Sequence, residues 1–71
     1  MTFDELRRDI TEALRRNLPR ARRLARRYTR LAERDGAPVR RGEALVQHAK
    51  VAHVAGRLDE AVRLYDRARR I

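Results

Sequence analysis

The chain has 71 residues, no cysteine, and 19 basic against 10 acidic side chains for a formal net charge of +9. A chain this short holds one domain at most, with a marginal core, and lacking cysteine it can have neither a disulfide nor a thiolate metal site to brace it. All but one of the basic residues are arginine, the exception being Lys50, and the excess draws the protein toward polyanions and acidic surfaces.

Four helices are expected in chain order. The first opens with Thr2-Phe3-Asp4-Glu5, a capping box in which hydroxyl and carboxylate each satisfy an orphan amide. Phe3, Leu6, Ile10, Ala13 and Leu14 follow at helical spacing as one apolar stripe, and Leu18-Pro19 ends it because proline disfavours the α conformation in the residue before it. The second starts with Pro19, which suits a first helical position. It carries Ala21, Leu24, Ala25, Tyr28, Leu31 and Ala32 on one face and stops at Asp35-Gly36. Pro38 is expected to keep the next loop from being helical. The third runs from about Arg41 to Ala55 and is the most apolar, with Ala44, Leu45, Val46, Ala49, Val51, Ala52, Val54 and Ala55. That is too broad for one stripe and predicts packing on more than one side. After the turn Gly56-Arg57-Leu58, the fourth begins near Asp59 with Ala61, Val62, Leu64, Tyr65, Ala68 and Ile71 apolar. No segment alternates with period two, so no strand is expected. Short connections make successive helices antiparallel neighbours. Four acid-to-arginine pairs four apart, Asp4–Arg8, Glu12–Arg16, Asp59–Arg63 and Asp66–Arg70, are expected as surface ion pairs.

An offset of 40 residues lays the second helix on the fourth, with Leu18 on Leu58, Ala21 on Ala61, Leu24 on Leu64, Tyr28 on Ala68 and Leu31 on Ile71. A repeat of this length is the mark of stacked helical hairpins. Residues Leu45, Ala49, Gly56, Asp59-Glu60-Ala61, Tyr65 and Ala68 resemble a tetratricopeptide repeat (TPR), best over 43–71. Leu45, His48 and Ala52 depart from that family's usual residues. A generic helical bundle, or the helical pair of a microtubule-interacting-and-transport domain, shares the small-residue pattern. The reading is one all-α domain of four antiparallel helices in two stacked TPR-like hairpins, a degenerate one over 1–35 and a closer match over 41–71. The resemblance implies a protein-interaction scaffold whose first helix in each hairpin lines a peptide groove. On this chain those positions are Glu43, Val46, Gln47, Lys50, His53 and Val54, and their chemistry suits an extended peptide with a carboxylate. An ordinary, partly solvated helix face is the competing reading.

Because about three repeats are needed to bury a continuous core, two should leave apolar surface open. Leu64 and Ile71 are the expected self-association residues, covered by a second copy, a larger partner or further chain. Nine arginines lie between Arg15 and Arg34 with only Glu33 among them. Arg22, Arg26 and Arg30 form one row at spacing four and Arg23 and Arg27 a second beside it, where like charges repel by a few tenths of a kcal/mol per pair. This face suits an acidic protein partner or, alternatively, non-specific nucleic-acid binding through phosphates, or it is a solvated face whose aliphatic stems cover apolar surface.

Catalysis is not expected. There is no cysteine or serine, Thr2, Thr11 and Thr29 have no neighbouring histidine in sequence, and Gly36, Gly42 and Gly56 are too dispersed for a phosphate-cradling loop. His48 and His53, five apart, point in different directions on one helix, so no metal is expected, nor any other cofactor. No run approaches the roughly 18 apolar residues of a membrane span, and Met1-Thr2-Phe3-Asp4-Glu5 lacks the features of a secretory leader, so the expected location is the cytoplasm.

Overall fold

The computed structural model describes all 71 residues. It has four helices and no strand: α1 (Phe3–Arg16), α2 (Leu18–Asp35), α3 (Pro38–Val54) and α4 (Leu58–Arg69). The helix ends follow from local chemistry. Thr2 accepts from the Glu5 amide while Glu5 accepts from the Thr2 amide, each at 3.1 Å, closing the expected box. Asn17 accepts from the Arg20 amide at 3.1 Å and starts α2 one residue before Pro19. Gly36 (φ 79°) and Gly56 (φ 82°) take the left-handed conformation that closes α2 and α3. At the second of these, the Gly56 amide donates to His53 and the Arg57 amide to Ala52, the paired bonds of a Schellman turn.

Pro38 begins α3 where a non-helical loop was expected. The first amides of a helix have no intrahelical partner, so the proline nitrogen costs nothing there, and the connection from α2 shrinks to Gly36-Ala37. Of the four expected pairs at spacing four, Asp66–Arg70 forms at 2.8 Å, and Asp66 also meets Arg69 at 3.0 Å. Asp4 turns to Arg7, Glu60 takes Arg57 at 3.1 Å, and neither Glu12 nor Asp59 has a basic partner within 4.0 Å. Exposed pairs of this kind hold their geometry weakly.

The helices form a slab with Cα extents of 29 × 27 × 14 Å. Its main core lies among α1, α2 and α3, with Leu6, Ile10, Leu24, Tyr28 and Val51 packed among buried alanines, and Phe3, Leu14, Leu18 and Leu31 at the rim. α3 touches α1, α2 and α4, which accounts for its broad apolar surface, whereas α4 touches α3 alone. Ala61 is therefore buried against α3. Gly42 lies where the two helices approach at the other end. A Cβ built on it would sit 3.7 Å from the Ala68 carbonyl oxygen and 3.9 Å from Ile71 Cβ.

Those distances are ordinary van der Waals contact, so Gly42→Ala removes backbone freedom from the unfolded chain without a clash and should stabilise by about 0.5–1 kcal/mol. Gly56→Ala forces a side chain into positive φ and should destabilise by about 1–2 kcal/mol. Urea unfolding of the two variants checks both signs.

Candidate functional site: an arginine-rimmed groove over α3

α2 and α4 both lean on α3 without touching each other, and the gap between them is a groove of about 670 Å³. Each helix contributes a row at spacings of three and four, the signature of a single helical face. From α2 come Arg22, Arg26, Thr29 and Glu33. From α3 come Arg41, Ala44, Leu45, His48 and Val51. From α4 and its flanks come Arg57, Glu60, Leu64, Arg67 and Ile71. The floor is apolar and the rim carries five arginines against two glutamates. Arg57 is paired with Glu60, but Arg22, Arg26, Arg41 and Arg67 have no carboxylate within 4.0 Å. The Arg22 Nε is buried with no hydrogen-bond partner.

His48 joins two of these walls. Its Nε2 lies 2.8 Å from the Thr29 hydroxyl across the α2–α3 contact. Burial, and then the Arg26 charge, hold its imidazole below the usual histidine range, with Glu60 pulling weakly the other way. Both influences come from across the groove, so Arg26, His48 and Glu60 face one another there. His53 lies exposed at the end of the same helix, away from His48.

The predicted arginine face is thereby divided. Arg22 and Arg26 enter the groove, while Arg23, Arg27 and Arg30 are exposed on other sides of α2. Arg41, Arg57 and Arg67, not singled out from sequence, complete the rim. Their signal was the matching rows on α3 and α4, which only the packing assembles.

The six positions carried over from the TPR resemblance are also divided. Glu43, Val46, Gln47 and Lys50 line a second surface cavity of about 690 Å³ on the other side of α3, together with Arg7, Val39 and Ile71. His53 and Val54 are exposed and do not line it. Gln47 is only 2% exposed, and its Oε1 has no donor. Glu43 is engaged internally. The wholly buried Tyr28 hydroxyl donates to it and Arg40 bonds it at 3.0 Å, while the Tyr28 ring meets Phe3 at 5.1 Å and Arg40 lies 4.2 Å over Phe3. This cluster ties α1, α2 and α3 together. Tyr28 is therefore core, as its place in the stripe predicted.

Of the two self-association residues, Ile71 is exposed, but Leu64 is half-buried and faces the groove. The open apolar residues of α4 are Leu58, Val62 and Tyr65. No helix is long and apolar enough to cross a membrane. Comparison with family models, curated proteins and solved structures finds no match to this chain.

The Tyr28–Glu43 contact sets a pH signature. Burial, and then the hydrogen bond to the Glu43 carboxylate, push the Tyr28 phenol from its ordinary 10.0 up to about 12. Its contribution is full below the unfolded value and is lost as pH rises through about 12. Glu43 is held low, chiefly by the bond from Tyr28. Its contribution is present above the ordinary carboxylate range and is lost as pH falls through the depressed value. From this pair alone stability should be flat near neutrality and fall on both sides, and His48, also held low, adds a loss as pH falls through the ordinary histidine range. Tyr28→Phe should cost about 1–2 kcal/mol at neutral pH and remove the phenol's alkaline contribution, as urea unfolding across pH would report.

Proposed function

We propose that this chain is a non-catalytic, cytoplasmic protein-assembly module built of two stacked TPR-like hairpins, and that its α4 outer face binds a second copy. One observation carries the reading. Under the 40-residue offset, the α2 row that faces α3, namely Arg22, Ala25 and Thr29, falls on Val62, Tyr65 and Arg69. Ala25 is wholly buried, whereas its equivalent Tyr65 is 38% exposed and Val62 is 66% exposed. α4 thus presents open the face that α2 covers with the following helix. With Leu58 four residues before Val62, an apolar stripe runs along α4, and Val46 of α3 borders it beside Val62 and Tyr65. Patches of this kind mark association surfaces.

Charge favours a second copy over an arbitrary partner. α2 carries seven arginines against two acids, but α4 carries three against three. Of the α4 charges, Asp59 in its first turn and Arg69 in its last lie outside the groove, whereas Glu60 and Arg67 line it. An antiparallel α4–α4 pair about a two-fold axis sets Asp59 of each helix toward Arg69 of the other. The arginine excess stays away from that contact.

Sedimentation at increasing protein concentration should show a monomer–dimer equilibrium. Val62→Glu with Tyr65→Glu, both exposed positions, should return the protein to monomer with helical content unchanged. A compact monomer at every accessible concentration would overturn the self-association. Backbone binding of nucleic acid, the other reading of the +9 charge, would instead appear as affinity falling log-linearly with salt and indifferent to the α4 substitutions.

A further inference from the structure

We infer that the groove between α2 and α4 receives an acidic, leucine-bearing peptide segment of a partner protein, with Arg22 and Arg26 taking its carboxylates and Leu45 and Leu64 its apolar side chain. The inference rests on the reading of the chain as a protein-interaction module but uses the other side of α4. The groove volume, about 670 Å³, lies within the roughly 300–1,000 Å³ of cavities that hold a compact ligand, enough for a few side chains of a peptide.

The chemistry of the walls selects the occupant. Four rim arginines have no carboxylate partner, and the Arg22 Nε–H is buried without an acceptor. A buried donor left unpaired costs about 1–3 kcal/mol, a cost relieved if the Arg22 side chain turns to an anion in the groove. Guanidinium groups bind carboxylates in bidentate fashion. Another copy of this chain, with its arginine excess, is a poor occupant. A nucleic-acid backbone is a poor one too. It would present phosphates to an apolar floor, and three exposed arginines of α2, Arg23, Arg27 and Arg30, lie outside the groove. His48, whose protonation burial and then Arg26 disfavour, adds polarity to the floor. A leucine flanked by glutamates meets the apolar floor and the unpaired rim arginines together.

The test is fluorescence anisotropy of the intact chain with a labelled synthetic peptide of glutamates around two leucines. A glutamine-for-glutamate peptide and an oligothymidylate strand serve as comparison probes. The acidic peptide should bind and the glutamine peptide should not. Arg22→Gln with Arg26→Gln should weaken binding by about ten-fold or more. Arg23→Gln with Arg27→Gln, the same loss of charge outside the groove, should weaken it by less than about three-fold. Circular dichroism establishes that both double variants stay folded. Should one of them unfold, protection of the Arg22 and Arg26 guanidinium signals by the peptide in the unaltered chain replaces it, and unchanged signals would reject the site. Equal weakening by the two pairs, or tighter binding of oligothymidylate than of peptide, would overturn the inference. If the peptide fails to bind while the α4-dependent dimer persists, the groove assignment falls and the assembly reading stands. If both fail, the assembly reading falls with it.

Discussion

The molecule is organised by one constraint: α3 is the only surface against which α4 can fold. α1 and α2 support each other and share a core with one side of α3, but α4 touches neither of them. Everything C-terminal to Gly56 depends on how firmly α3 is held. The Tyr28–Glu43–Arg40 bonds contribute to that hold, joining the buried phenol of α2 to the first turns of α3, with Phe3 of α1 packed beside them. A hydroxyl and a carboxylate meeting at the edge of a core exchange two costly desolvations for one charge-assisted bond. This links a local polar contact to the placement of a helix that makes no contact with it.

The same arrangement creates the surfaces that suggest function. Two helices leaning on a third without touching leave a groove, and an outermost helix with one neighbour leaves a face. The sequence supplies each with a distinct chemistry. The groove has an arginine rim over apolar floor residues. The outer face has a valine and a tyrosine between charges that balance. A protein with a net charge of +9 repels itself in general, and an interface between copies is favoured where charge cancels. α4 is a near-neutral helix with Asp59 and Glu60 in its first turn and Arg67 and Arg69 in its last. The helix macrodipole also favours that polarity.

Features determined within one or two turns were legible in the sequence. The Thr2–Glu5 box, the glycine closures at Gly36 and Gly56 and the core role of Tyr28 all follow from residue type and spacing. Pro38 was misleading because proline is compatible both with a loop and with a first helical position, and Ala37 offers no capping side chain to distinguish them. The partner of Glu43 was not legible, because Tyr28 lies 15 residues away on another helix. Nor was the division of the arginines, since which of them enter a groove depends on the rotation of α2 against α3. On α4, apolar residues at 61, 62, 64, 65 and 68 span too much of the circumference for periodicity to say which face is covered. The internal repeat held that information. It places Tyr65 where α2 has buried Ala25, and in doing so marks Val62 and Tyr65, and not Leu64, as uncovered.

Amide hydrogen exchange resolved by residue, followed across protein concentration, would probe the uncovered face of α4 directly. An outermost helix held by one neighbour should open independently of the rest, and its protection should rise with concentration as a second copy covers it. Amides of α1 and α2 should remain unchanged by dilution. Protection along α4 equal to that of α2, and indifferent to concentration, would show that α3 alone is enough to hold it and that its open stripe needs no cover.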